Sequence, residues 1–174
     1  MKTLRERFGI RGAVISAVDL IKGIGVYAGM DVIEVEGATG LHNTNYEGKA
    51  AAAIEALSRV DLVFLHIEAS DEAGHQGDAA LKIKTIEYLD SRVVGPVREQ
   101  LEPGPLRTRI ALLPDHPTPC SLRTHVHDPV PFLIYDRNVP ADSVSVFDEK
   151  AVLHGGFGLL KGDEFLKTLL KPAA

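Results

Sequence analysis

The stretch LLPDHPTPCSLRTHVHDPVPF, residues 112–132, concentrates side chains that can carry chemistry. An apolar run ends on Asp115 and His116, and His125 follows ahead of a second apolar run at residues 130–135. We expect the first run to form a buried strand that presents Asp115 and His116 at its carboxyl end. Ligands of open α/β sheets bind at that edge.

A second apolar run, residues 61–67, is also predicted to be a buried strand, and it leads into Asp71 and His75, which we place in a loop. His66 lies inside this strand and is interpreted as a core histidine. An Asp or a His at a single strand end more often caps a helix or faces water. Two such pairs, with His125 as a further imidazole, favour a site for borderline divalent ions such as zinc and manganese.

Composition narrows the class of protein. The 174 residues predict one domain, with or without an appendage, and the 25% of charged residues are typical of a globular protein. A net charge of -5 without a basic cluster argues against nucleic acid as a partner. The sequence has no apolar run of membrane-spanning length and no apolar signal-peptide core, so we do not expect a membrane as a partner. The single cysteine, Cys120, favours the reducing cytoplasm and is interpreted as a small buried side chain rather than a nucleophile.

Local patterns predict alternating strands and helices, which is the signature of an α/β fold with a parallel sheet. Gly9 is expected to close a first short helix, Asp19 and Asn45 to cap the next two, and Gly95-Pro96 to kink or end a long one. The predicted helices cover residues 4–8, 20–28, 46–59, 78–101 and 162–170. The predicted strands cover residues 12–17, 30–35, 61–67, 108–113 and 130–135.

Several motifs resemble one enzyme family. They are DEAGH at residues 71–75, PDHPT at 114–118, and His125 four residues before PVPFLI at 129–134. The likeness extends to ISAVDLIKGI at 15–24, GAT at 37–39 and TNYEGK at 44–49. Together they are similar to the carboxyl-terminal half of the cofactor-independent phosphoglycerate mutases, most closely the archaeal-type branch.

The resemblance implies an alkaline-phosphatase-like α/β fold, a mostly parallel sheet flanked by helices that is incomplete in this chain. Residues 1–36 would be the end of an inserted substrate-clamping domain, and residues 37–174 the carboxyl-terminal half of the metal-binding core. Two divalent ions are implied, with manganese favoured over zinc, cobalt and magnesium. Carried over by position, the ligands of one ion would be Asp71, His75 and His125, those of the other Asp115 and His116, and Lys22 would contact substrate.

The family interconverts 2- and 3-phosphoglycerate in glycolysis through a phosphoserine intermediate. Its serine nucleophile lies in the amino-terminal part, and none of the serines in this chain has that context. We therefore expect a partial chain with little mutase activity of its own, and either self-association or a separate amino-terminal half as its partner. The second ion needs at least one more carboxylate ligand, and the sequence shows no obvious residue to supply it. The alternatives are a homoserine kinase or phosphatase of the same superfamily, or a non-catalytic metal-binding remnant.

Overall fold

A parallel sheet of three strands organises the first of two units in the chain. The computed structural model describes residues 2–104 and 107–171, and the chain divides into Met1–Pro103 with Thr118–Thr124, and Gly104–Pro117 with His125–Ala174. In the first unit, strand β1 (Gly12–Ile15) lies between β2 (Asp31–Val32) and β3 (Leu62–Leu65). All four β1 residues are buried, as expected for a central strand covered on both faces.

This unit contains six α-helices among its described residues. They are α1 (Leu4–Phe8), α2 (Asp19–Tyr27), α3 (Tyr46–Ala56), α4 (Ala69–Gln76), α5 (Ala79–Leu89) and α6 (Gly95–Leu101). Helix α4 was not predicted, and α5 and α6 share the span of one predicted helix. Gly9 ends α1 in the left-handed conformation, and Asn45 caps α3 by accepting the Gly48 N–H at 2.8 Å, so both predictions are confirmed. A Cβ at Gly25 would lie 2.4 Å from Val14 Cγ1, which shows that Gly25 permits α2 to pack closely on β1.

Several predicted boundaries in this unit are too wide, and the strand predicted to be buried at residues 61–67 is Leu62–Leu65, none of whose residues is buried. The strand expected over residues 30–35 is only Asp31–Val32, which pair with Ala13 and Val14 of β1. Asp19 does not cap α2. Val18 is the N-cap, and the Asp19 carboxylate instead lies 3.2 Å from the Lys22 ammonium.

The loop predicted around Asp71 and His75 is also wrong, because these residues lie on helix α4. The main-chain carbonyl of Glu68 accepts the N–H groups of Asp71 and Glu72, which starts the helix. Buried Ala69 and Ala73 hold one face of the helix against the core, and Gly77 ends it in the left-handed conformation. Eight residues rich in polar side chains show too little periodicity to reveal such a helix.

The long helix expected over residues 78–101 is interrupted by a π-helical turn, Asp90–Val94. The Gly95 N–H donates to the Asp90 carbonyl five residues earlier, and Pro96 then opens α6, where a missing N–H costs little. Val93 is buried in a cluster with Tyr46, Ala50 and Ala69, and Val97 packs against the same cluster. The wider turn keeps both valines on the core side.

The second unit contains two antiparallel strands, β4 (Arg109–Leu112) and β5 (Leu133–Asp136), a 3₁₀ turn (Ala151–His154) and helix α7 (Glu164–Leu170). Buried Asp136 accepts hydrogen bonds from the guanidinium groups of Arg107 and Arg109 at 2.6 and 2.9 Å. The Phe132 ring contacts Phe157 and Phe165. The domain boundary predicted after residue 36 differs from the division between these two units. It stays a prediction.

Candidate metal centre

Asp71 and His75 are brought together by the pitch of helix α4. Residues four apart lie on one face of an α-helix, and the Oδ2 atom of Asp71 is 3.2 Å from Nε2 of His75. Both side chains are partly buried, with 17% of Asp71 and 36% of His75 exposed. One carboxylate and one imidazole are thus presented from a rigid element just beyond the carboxyl end of β3, as metal ligands commonly are.

The second ring nitrogen of His75 is held by the main chain. Nδ1 lies 3.0 Å from the carbonyl oxygen of Arg123, and a carbonyl only accepts, so Nδ1 carries the proton. In the neutral ring, Nε2 then presents a lone pair toward the Asp71 carboxylate. A cation between these two electron-pair donors satisfies both, and a histidine whose other N–H is bound to a carbonyl is the usual state of a metal ligand. The residues present therefore fit a divalent metal.

Thr118 orients Asp71 from the opposite side. Its buried hydroxyl donates to Oδ1 of Asp71, and its own carbonyl accepts a hydrogen bond of 2.7 Å from the Lys82 ammonium. A Cβ at Gly74 would lie 2.5 Å from that carbonyl oxygen, so Gly74 permits the approach. Sequence reasoning missed Thr118 as a site residue, although it lies two residues after His116 in the proline-rich stretch.

Two further carboxylates join Asp71. Oxygen atoms of Glu68, Asp71 and Glu72 all lie within 4.8 Å of one another. All three side chains are of intermediate burial, in keeping with the position of the cluster at the start of α4. Like charges this close favour a cation. Sequence reasoning named Asp71 in this group as a candidate ligand and missed Glu68 and Glu72.

His66 is part of a hydrogen-bonded relay. The hydroxyl of Ser16, which accepts from the Val18 N–H at 3.0 Å, lies 3.1 Å from Nδ1 of His66. Nε2 of His66 lies 3.2 Å from Oε2 of Glu68. Ser16 is buried and the His66 side chain is 12% exposed. His66 is thus a hydrogen-bonded, partly buried histidine, and it lies one residue beyond β3 rather than inside the strand as predicted. The relay fixes the position of the Glu68 carboxylate.

A buried lysine lies near this carboxylate. Lys49 is fully buried, and its ammonium donates a long hydrogen bond of 3.4 Å to the Thr39 carbonyl. Burial lowers the pKa of Lys49, and the negative charge of Glu68 works in the opposite direction. Sequence reasoning gave this lysine no role.

In the second unit, three of the predicted ligands are neighbours. Nε2 of His116 lies 3.4 Å from Oδ2 of Asp115, and the centroids of the His116 and His125 rings are 3.7 Å apart at an angle of 32°. His125 is exposed and His116 is partly buried. Imidazole and carboxylate are ligand types that suit zinc or manganese.

Lys22 makes two ion pairs in the first unit. Its ammonium lies 3.1 Å from Oε1 of Glu34 and 3.2 Å from Oδ1 of Asp19. The hydrogen bond to Glu34, followed by that to Asp19, raises the pKa of Lys22. A contact between Lys22 and substrate stays a prediction.

Comparisons with known proteins place the chain in a family. The family described as Metalloenzyme superfamily matches residues 1–172. The chain belongs to the Metalloenzyme superfamily. Membership of this family and the groups of possible ligands support divalent metal binding, and the resemblance to the phosphoglycerate mutases is confirmed by individual relatives.

Among these relatives are 2,3-bisphosphoglycerate-independent phosphoglycerate mutases from Methanosarcina acetivorans and Methanothermobacter thermautotrophicus. They are 54% and 48% identical over 98% and 100% of this chain. The chain spans 43% of the length of each.

Two solved structures extend the comparison. A Pyrococcus horikoshii protein superposes with a TM-score of 0.89 at 36% identity, over 99% of this chain and 54% of its own. The cofactor-independent phosphoglycerate mutase from Thermoplasma acidophilum gives 0.68 at 27% identity, over 90% and 35%. The α/β fold of alkaline-phosphatase type is thereby confirmed. Among the described residues, no helix is long and apolar enough to cross a membrane.

Proposed function

We propose that this chain forms the metal-binding part of a cofactor-independent phosphoglycerate mutase, which interconverts 2- and 3-phosphoglycerate in glycolysis. The observation that carries the proposal is the Asp71–His75 pair on α4, with Nδ1 of His75 bonded to a carbonyl, in a chain 54% identical to such a mutase. The serine that would carry the phosphoryl group is supplied from outside this chain. By itself, this polypeptide would then have no isomerase activity.

Two divalent ions, manganese by preference, are part of this proposal. The ligands of one would be Asp71, His75 and His125, and those of the other Asp115 and His116. Bound ions of this kind stabilise negative charge on a phosphoryl group and its attacking and leaving oxygens.

The residues of this chain prepare the ligands for that role. The Arg123 carbonyl keeps the proton of His75 on Nδ1, so that Nε2 offers its lone pair. The Thr118 hydroxyl holds one oxygen of Asp71, which leaves the other directed toward His75. In the second unit, contact with His125 fixes the plane of the His116 ring. Ligands fixed in this way bind metal with less loss of side-chain entropy.

The compartment and the partners belong to the same proposal. A glycolytic mutase acts in the cytoplasm, and a chain of this length would act there with an amino-terminal half or as a self-associated species. Phosphoglycerate would be the small-molecule partner.

The test is a chimera. The matching 171 residues of the Methanosarcina acetivorans relative are replaced by this chain, and the interconversion of 3- and 2-phosphoglycerate is measured with manganese. We expect turnover in the chimera, none from this chain by itself, and a loss of at least about a hundredfold in the chimera with Asp71→Asn.

A matched control is Asp78→Asn, which removes the same charge from the N-cap of α5 and should leave turnover within about twofold. A chimera that melts normally and binds manganese, yet hydrolyses phosphate esters without interconverting phosphoglycerates, would make the chain part of a phosphatase instead.

A further inference from the structure

A cleft lined by three arginines opens at the amino-terminal edge of the parallel sheet. Its volume is about 400 Å³, and Arg5, Arg11, Arg59 and Asp31 are among its lining residues. Arg11 precedes β1, Asp31 begins β2, and Arg59 precedes β3. Asp71 and His75 follow the carboxyl end of β3, so the cleft lies at the other edge of the same sheet and is separate from the candidate metal ligands of this unit.

The charge of the cleft is only loosely compensated. Arg11 Nε lies 3.7 Å from Oδ2 of Asp61, and Arg59 Nη1 lies 3.4 Å from Oε1 of Glu55. All four side chains are about half exposed or more, and exposed pairs at such distances contribute little. Within residues 2–104 and 107–171, no acidic side chain pairs with Arg5.

The Asp61 carboxylate has a hydrogen-bond donor other than the Arg11 side chain. Its Oδ2 atom accepts a hydrogen bond of 2.8 Å from the main-chain N–H of Arg11. The Arg11 guanidinium can therefore turn toward a ligand while Asp61 keeps this main-chain partner. The Arg59 guanidinium can also turn toward a ligand. Its partner Glu55 has 74% of its side chain exposed, so water can replace the arginine there.

We propose that this cleft binds a small, hydroxyl-bearing phosphate monoester. Guanidinium groups present N–H donors in a planar fork that matches phosphate oxygens, and three arginines from distant points in the sequence line this cleft. The volume is of the size that small-molecule ligands occupy. The Asp31 carboxylate repels phosphate charge and accepts a hydrogen bond from a hydroxyl. A glycerol ester can offer a hydroxyl at a distance from its own phosphate, whereas the P–OH of inorganic phosphate lies on the charged group itself, so Asp31 favours the ester.

The experiment measures binding of glycerol 3-phosphate and of inorganic phosphate to the full chain by calorimetry, at low salt and with EDTA to remove metal. Saturable binding is expected for both, tighter for glycerol 3-phosphate. Arg5→Gln and Arg59→Gln should each weaken binding about fivefold to tenfold. Arg98→Gln is the matched control, because Arg98 is equally exposed and lies 3.7 Å from Glu102 on its own helix.

Asp31→Asn is expected to strengthen the binding of inorganic phosphate, whereas a folding defect would weaken it. Inorganic phosphate should bind about threefold more tightly once the repelling charge is removed, and the preference for glycerol 3-phosphate should shrink. Absence of saturable binding would overturn the proposal. Equal weakening by Arg98→Gln, or loss of binding through Asp71→Asn with no effect of Arg5→Gln, would also overturn it.

Discussion

The Nδ1 atom of His75 donates a hydrogen bond of 3.0 Å to the main-chain carbonyl of Arg123, 48 residues away in the sequence. This contact sets the tautomer of a histidine that faces Asp71. We expect His75→Ala to weaken manganese binding by about tenfold to a hundredfold, because the variant loses an oriented imidazole donor. Calorimetric titration of the purified chain with manganese measures the effect.

The control for this substitution is His42→Ala. His42 is exposed and lies in the loop before α3, so its loss should not change manganese affinity. Equal weakening in both variants would show that His75 is not a ligand.

Thr118→Val tests the orientation of Asp71. The change keeps the shape of the side chain and removes the hydroxyl that donates to Oδ1. A lost hydrogen bond to a charged, partly buried acceptor is expected to lower the free energy of unfolding by about 1–2 kcal/mol. Urea denaturation measures this change, and Thr124→Val, at an exposed position of the same segment, should be nearly neutral.

Gly74→Ala tests the contact between α4 and the segment Thr118–Thr124. An added Cβ would lie 2.5 Å from the Thr118 carbonyl oxygen, so that either the main chain moves or the contact is strained. We expect a loss of about 1–3 kcal/mol in the free energy of unfolding, together with weaker manganese binding. Thermal and urea unfolding give the first quantity, and titration gives the second.

Gly23→Ala is the matched change in a helix of the same unit. No heavy atom lies within 4 Å of a Cβ added at Gly23, so alanine should raise the free energy of unfolding by up to about 1 kcal/mol. Similar destabilisation by both substitutions would contradict the special role of Gly74.

Asp136→Asn tests the pairing of Asp136 with Arg107 and Arg109. The hydrogen bonds from Arg107, then those from Arg109, hold the pKa of Asp136 well below the ordinary carboxyl value. A lowered folded-state pKa stabilises the protein fully above the unfolded-state pKa, and this stabilisation is lost as the pH falls toward the folded-state value. We expect a cost of about 2 kcal/mol at pH 7 and a smaller difference at pH 3.

Urea denaturation of both proteins at pH 7, 5 and 3 measures the difference. A gap between wild type and Asp136→Asn that widens on acidification would have the wrong sign and would refute the pairing.

The alternation of strands and helices could be predicted from the sequence because apolar runs and caps such as Asn45 act locally. Helix α4 could not, since its eight residues are held by buried Ala69 and Ala73 and by main-chain bonds to Glu68 rather than by a hydrophobic stripe. The ligand candidates Asp71 and His75 were identified from residue type and position after β3. Thr118 and the relay from Ser16 through His66 to Glu68 were not, because they join side chains about 50 residues apart.

The π-helical turn at Asp90–Val94 limits which deletions this chain tolerates. Loss of any one of its five residues would tighten the turn to an ordinary α-helix and swing α6 by about 100°, which would carry Val97 away from Tyr46 and Ala50. A single-codon deletion there is thus costlier than several surface substitutions. The packing of Val97 against the core therefore constrains the length of this helix.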